Sequence, residues 1–134
     1  MIIRARPKYF TIKQLSSISP NVQFLDDELF FNHGRSGLKF FFKIYSKFKK
    51  KQLTVLMQAY NCRTVIEAAL QAGCKVILVD IKLEDFSMDY NELKKISVKP
   101  DILILTHYQG IPNFQYENLA YFCAENQMIL LFET

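Results

Sequence analysis

The residues best placed to do chemistry begin with the stretch Asn32–Leu38, which reads N-H-G-R-S-G-L. It follows an apolar run, Leu29-Phe30-Phe31, and leads into a segment with helical spacing. A strand, a turn with two glycines and a helix start make a geometry in which free backbone N–H groups face an anion. The helix dipole adds to the preference, and phosphate is the natural guest. Gly34 and Gly37 permit φ > 0 and a close approach of the backbone. The stretch matches neither the P-loop nor the dinucleotide G-x-G-x-x-G pattern. In isolation, an ordinary capped strand-to-helix turn is its plainer reading.

Other chemistry-bearing residues are spread along the chain: Tyr60, Asn61, Cys62, Asp80, His107, Glu133 and Thr134. Several have a plain structural role open to them. Asp80 can cap a loop, Tyr60 and Asn61 can serve in a turn, and His107 can be a satisfied, half-buried imidazole. Gly110-Ile111-Pro112 reads as a turn ahead of a helix N-capped by Asn113. No nucleophile elbow with Ser, His and Asp in order is present, and no paired-carboxylate signature. Cys62, Cys74 and Cys123 are odd in number, far apart and without metal-ligand spacing. They read as reduced thiols, which points to a cytoplasmic protein.

The elements that must position these residues alternate from Leu29 onward. Apolar spacing predicts strands at Leu29–Phe31, Gln52–Met57, Cys74–Val79, Asp101–Thr106 and Met128–Phe132. Between them it predicts helices at Ser36–Lys49, Cys62–Ala72, Asp89–Ile96 and Asn113–Asn126. The first helix should bury Leu38, Phe41, Phe42, Tyr45 and Phe48, and the second Val65, Ile66, Ala69 and Leu70. Gly73 sits at the C′ position of the second, and Asp89 with Glu92 has capping-box spacing ahead of the third. Residues 1–28 are irregular and read as an N-terminal arm, with a short helix near Thr11–Ile18. Short apolar strands each followed by a helix imply an α/β fold, a mostly parallel sheet covered on both faces. Ligands in such sheets lie beyond the carboxyl ends of the strands. Those ends are Asn32–Gly37, Gln58–Cys62, Asp80, His107–Gly110 and Glu133–Thr134.

The totals exclude several classes. A chain of 134 residues, half of them hydrophobic and twelve of them Phe, is one globular domain's worth rather than a disordered tract. No apolar run approaches the ~18–20 residues of a membrane span, and Met1–Lys8 lacks a signal-type apolar core. The net charge of +4 is concentrated in Lys39, Lys43, Lys47, Lys49, Lys50 and Lys51. Lys39, Lys43 and Lys47 share one helical face, which reads as solvated rather than as a nucleic-acid patch. Neither a nucleic-acid nor a membrane partner is expected.

Six segments in register carry a resemblance: G-R-S-G-L (34–38), A-Y-N-C (59–62), A-G-C-K-V-I-L-V-D (72–80), F-S-M-D (86–89), T-H-Y-Q-G-I-P (106–112) and I-L-L-F-E-T (129–134). In order and spacing they resemble the DegT/DnrJ/StrS family of pyridoxal-phosphate (PLP) dependent sugar aminotransferases, over about residues 29–134. The resemblance implies the three-layer α/β/α large domain of PLP-dependent, aspartate aminotransferase-like transferases, in truncated form, with residues 29–134 as its N-terminal part. It implies that the Gly34–Gly37 turn cradles the cofactor phosphate, through backbone N–H groups at Arg35 and Ser36 and the Ser36 hydroxyl. Cys62 matches the position of a ring stacked on the pyridine, for which a thiol is a poor substitute, and Tyr60 is the nearby aromatic. Asp80 and Asp89 match acidic positions that support the fold, and His107 with Gly110 matches the H-x-x-G turn beside the cofactor.

Departures from the family pattern matter equally. Thr134 stands where the family's Asp pairs with the pyridine nitrogen, and a hydroxyl cannot supply that charge. The family's Schiff-base lysine lies in a downstream segment, and none of the lysines here matches it. Gln58 replaces a usual Pro. The expectation is therefore the N-terminal portion, or a truncated relative, of an aminotransferase acting on keto sugar nucleotides. Glutamate would be the amino donor and the complete enzyme a homodimer. This chain alone is expected not to transaminate, and apolar surface should be exposed where the rest would pack. The alternative is a non-catalytic binding module that keeps the fold. A flavodoxin-like or receiver-like domain explains the alternation but not the six segments.

Overall fold

The structure, a computed structural model, describes residues 23–25, 28–107 and 110–133. Predicted features at Thr11–Ile18 and Thr134 lie outside the described residues. Two short strands, β1 (Gln23–Leu25) and β2 (Glu28–Phe30), come first, then helix α1 (Gly34–Lys49). Strand β3 (Thr54–Gln58), helix α2 (Arg63–Gln71), strand β4 (Lys75–Val79) and the short helix α3 (Tyr90–Lys94) follow. Strand β5 (Ile102–Thr106), helix α4 (Tyr116–Glu125) and strand β6 (Ile129–Glu133) complete the order.

Strands β3 to β6 form one parallel sheet in the order β4-β3-β5-β6. Side chains alternate across each strand, so one sequence feeds two cores. Val55, Met57, Ile102 and Ile104 pack on one face with Leu38, Phe42 and Tyr45 of α1 and Val65, Ala68 and Ala69 of α2. Leu56, Leu103 and Leu105 pack on the other with Leu93 of α3 and Leu119 and Cys123 of α4. This is the expected three-layer α/β/α arrangement. Strands β3 and β5 are interior and covered on both faces, which is why T-V-L-M and I-L-I-L read as continuous apolar runs.

The amino end of the sheet is tied by one residue. Asp101 Oδ2 accepts from the Thr54 N–H at 2.9 Å, and its Oδ1 lies 2.6 Å from Lys51 Nζ. The Asp101 N–H donates to Thr54 O at 2.9 Å, and its carbonyl accepts from the Ile129 N–H at 3.0 Å. Three strands meet on that residue.

Several expectations need correction. The strand predicted at Leu29–Phe31 exists as β2, but it pairs antiparallel with β1 (Phe24 opposite Leu29) instead of entering the parallel sheet. The partner is a few residues away, so the local ladder closes at small entropic cost. Helix α1 starts at Gly34, not Ser36, because the His33 carbonyl accepts from the N–H groups of Ser36 (3.0 Å) and Gly37 (3.3 Å). Neither Gly34 nor Gly37 has φ > 0; among the described glycines only Gly73 (+84°) and Gly110 (+78°) do. Gly37 is small for a packing reason: a Cβ there would lie 3.1 Å from Phe31 Cδ2.

On the helix faces, Phe48 and Leu70 point outward, 49% and 55% exposed, while Ile44 and Ala68 are buried. The buried stripe of each helix is rotated relative to the predicted one. Asn113 does not N-cap α4. Its Oδ1 accepts from the Gln115 N–H at 3.0 Å and its carbonyl from the Tyr116 N–H at 3.1 Å, forming an Asx turn one step ahead of the helix. The capping box at α3 is half made. Asp89 Oδ1 accepts from the Asn91 N–H at 2.8 Å, but Glu92 turns to Lys95 Nζ at 2.5 Å. The Asp89 N–H is satisfied by Asp80 O at 2.8 Å, which leaves Glu92 nothing to cap. Gly73 does take the predicted role: its N–H bonds Leu70 O at 2.9 Å and the Cys74 N–H bonds Ala69 O at 3.0 Å, a complete Schellman motif.

Large apolar side chains are exposed at Leu83, Phe114 and Tyr121, among others. No helix among the described residues is long and apolar enough to cross a membrane.

Candidate functional site

At the carboxyl ends of the strands, α1 and α2 begin side by side. Between their first turns and the end of β6 lies a cavity of about 380 Å³ lined by His33, Gly34, Arg35, Leu38, Thr64, Val65 and Glu133. The first-turn N–H groups of Gly34 and Arg35 have no acceptor within α1, whereas the Thr64 backbone at the α2 start already bonds the Cys62 thiol. The α1 start, with Arg35 beside it in the lining, therefore favours an anion on that side of the cavity. Ser36 sits in the same first turn of α1, its backbone N–H already taken by His33 O.

The floor is built from hydrogen-bonded strand ends. Asn61 Nδ2 donates to Thr106 Oγ1 at 2.9 Å, and its Oδ1 accepts from the Cys62 N–H at 2.6 Å, so Asn61 joins the end of β5 to the start of α2. Thr106 is opposite Glu133 in the β5–β6 ladder, and the His107 N–H donates to Glu133 O at 2.9 Å. Glu133 Oε2 is buried without a hydrogen-bond partner. Its carboxylate gives the cavity a second, negative side.

Cys62 caps α2 by position, with an exposed thiol. Its Sγ lies 3.0 Å from Thr64 Oγ1. Hydrogen bonding to the Thr64 hydroxyl, then to the Thr64 backbone, holds the thiol below its ordinary range, and Glu133 opposes this through its charge.

The structure brings together Gly34 and Arg35 in the cavity lining, with Ser36 and Cys62 on the two helix starts that frame it. It does not bring in Tyr60 or His107. The Tyr60 ring instead lies 5.4 Å from that of Phe86. His107 stacks on Phe132 (5.8 Å between centroids) and accepts the Asn113 N–H on Nδ1 at 3.1 Å. It lines a separate hollow of about 310 Å³ with Pro112, Asn113, Tyr116 and Phe132. Phe132 and Glu133 are neighbours on β6 and so face opposite sides of the sheet. Asp80 accepts from the Ile81 N–H at 2.8 Å, a loop-capping role. Sequence reasoning missed Thr64 and underweighted Glu133. The signal for Thr64 was its place two residues after Cys62 in the first turn of a helix.

A cavity lined by a helix start, Arg35 and Glu133 suits a ligand that carries a phosphate. The residues present thus fit the phosphate of pyridoxal phosphate, while Tyr60, Cys62 and His107 do not line the cavity.

No curated protein shows a significant sequence match to the chain. Among solved structures, Helicobacter pylori PseC, an aminotransferase involved in the biosynthesis of pseudoaminic acid, superposes with a TM-score of 0.67 at 19% identity. The match covers 78% of this chain and 28% of that one. DesV of S. venezuelae gives 0.63 at 14% identity, covering 75% and 27%. A DegT DnrJ EryC1 StrS aminotransferase from Brucella abortus gives 0.58 at 12%, covering 74% and 28%. At these identities the likeness is one of fold, that of PLP-dependent aminotransferases, and the chain spans little more than a quarter of each neighbour's length. A model of the DegT/DnrJ/EryC1/StrS aminotransferase family matches residues 31–134, which hold the whole parallel sheet and both helix starts of the cavity, and the chain belongs to that family.

Proposed function

We propose that this chain provides the cofactor-phosphate half of a PLP-dependent aminotransferase that acts on keto sugar nucleotides in the cytoplasm. Glutamate would be the amino donor, and the complete enzyme a homodimer. The observation that carries the reading is the cavity at the carboxyl ends of the strands that is framed by the first turns of α1 and α2 and by Glu133. Bound PLP supplies the electron sink on which amino transfer depends. The chain's own residues bind and orient. The α1 turn from Gly34 holds the phosphate through backbone N–H groups, Arg35 adds charge, and the Ser36 hydroxyl adds a donor. Asn61 fixes the start of α2 against β5, so the two helix starts keep their spacing.

The lining contains no lysine, which favours a second reading beside the first: a module that binds the cofactor without attaching it. One experiment addresses both. PLP and its dephosphorylated form, pyridoxal, are titrated against the chain, then borohydride is added. PLP is expected to bind at least about tenfold tighter, because charge-assisted hydrogen bonds to phosphate contribute about 1.5–3 kcal/mol each. Arg35→Ala should erase about tenfold of that preference and leave pyridoxal unaffected. Equal affinities would overturn the phosphate site. Borohydride-dependent retention on a unique lysine would overturn the view that this chain lacks the attachment residue.

A further inference from the structure

We propose that Gln58 is a positioning residue of the phosphate cavity: its buried amide, on the far face of the sheet, fixes the turn that sets the start of α2 beside that of α1. The proposal rests on the PLP reading above. Gln58 is the last residue of β3 and is fully buried. It follows Leu56 by two, so strand alternation turns it to the face of α3 and α4, away from the cavity. From there its Nε2 donates to the Tyr60 carbonyl at 3.2 Å. Three consecutive residues thereby gain three anchors. The Ala59 N–H donates to Val79 O of β4 at 2.8 Å, Tyr60 O is held by Gln58, and Asn61 Nδ2 donates to Thr106 Oγ1 of β5 at 2.9 Å. Asn61 Oδ1 accepts the Cys62 N–H at 2.6 Å, and α2 begins at the next residue. Thr64 and Val65, in its first turn, line the cavity.

The state of the Gln58 amide is the independent observation. Its Oε1 is buried and has no hydrogen-bond partner among the described residues. An acceptor left unpaired in a core is unfavourable, and an apolar side chain of the same length would avoid that cost. The bond Gln58 does make is a part-buried one to the backbone of an exposed residue, which adds little net stability. Stability therefore does not account for the amide. What the bond supplies is order. With its carbonyl pinned, the Tyr60 peptide loses its alternative orientations, and Asn61 and Cys62 follow it into a single helix start. A binding wall keeps its place only when the residues behind it are held in this way.

The test reads the α2 start through Cys62, the exposed thiol at its cap. Thr64 holds that thiol below its ordinary range and Glu133 opposes, so its alkylation rate against pH reports the geometry of the turn without any ligand. Gln58→Met should move the midpoint up toward the ordinary thiol range, weaken PLP binding, and leave the urea midpoint unchanged or higher. Asn61→Ala should shift the thiol in the same direction. The two together should shift it by less than the sum of the singles, because both act through one turn. An unchanged Cys62 profile in Gln58→Met, full additivity with Asn61→Ala, or a moved profile with PLP bound as tightly as before would overturn the assignment and leave the phosphate site standing. Loss of stability alongside the shift would make Gln58 a packing residue and overturn it too. Equal binding of PLP and pyridoxal by the unaltered chain would overturn the phosphate site, while the Cys62 profile would still judge Gln58. In the unaltered chain the Gln58 side-chain amide protons should exchange slowly. Exchange as fast as that of exposed glutamines would overturn the assignment independently of any variant.

Discussion

The three thiols illustrate how one residue type takes three characters from three places. Cys62 stands exposed at a helix start beside the Thr64 hydroxyl and is held toward the thiolate. Cys74 and Cys123 are buried in apolar cores, and desolvation pushes each up to about 11. An alkylating reagent at neutral pH should therefore label Cys62 first and alone, and Cys62→Ser should remove the fast phase. The buried pair should react only on unfolding or as pH nears 11. Mass spectrometry of partly labelled protein reads this directly, and fast labelling of Cys74 or Cys123 would contradict the packing. At this scale the sequence was partly legible. Asn32–Leu38 was visible as an anion-friendly turn, but the purpose of Gly37 was not, since room for the Phe31 ring is a tertiary fact. Asn113 was legible as a capping residue but not for its Asx turn. The place of Glu133 in the cavity lining depends on which way a strand end faces, and a register of one decides that.

Among the elements, the helix ends were read best where backbone chemistry is local. Gly73 closes α2 with φ of +84°, a conformation that any L side chain resists. Gly34 begins α1 without positive φ, and nothing lies within 4 Å of a Cβ at either place, so packing does not separate the two sites. Gly73→Ala should cost about 1–2 kcal/mol. Gly34→Ala should gain about 0.4–1 kcal/mol by narrowing the unfolded ensemble. Urea denaturation of both variants checks the pair, and a stabilising Gly73→Ala would refute the Schellman closure. The strand positions of the parallel sheet and the order of helices were legible because period-2 and period-3.6 patterns report burial. The outward turn of Phe48 and Leu70 was not, since each lies within reach of the apolar stripe and only the angle between packed layers excludes it. β1 was hidden in a stretch whose composition has no strand period, and it gained its structure from β2.

At the scale of the whole molecule, the fold has two unlike ends. At the amino ends of the strands, Asp101 gathers β3, β5 and β6 through both its carboxylate and its peptide. At the carboxyl ends, the layers part around two hollows on opposite faces. The general architecture was readable from alternation, and the hollows lie at the end where that alternation places ligands. The separation of His107 from Glu133 was not, because it needs the facing of adjacent strand residues.

The order β4-β3-β5-β6 also predicts how the backbone opens in time. Amides of Leu56, Met57, Leu103 and Ile104 lie in interior strands with a ladder on each side, so deuterium should reach them only when the whole domain opens. Amides of α3, a single short turn, and of the β1–β2 pair should exchange through local fluctuations, orders of magnitude faster. Within β3 and β5 the gradient should be directional. Protection should stay at that limit from the Asp101 clamp to mid-strand and fade toward Gln58 and Thr106. Exchange read residue by residue would then find a molecule hinged shut at its base, with its clamped and its hollowed ends only one strand's length apart.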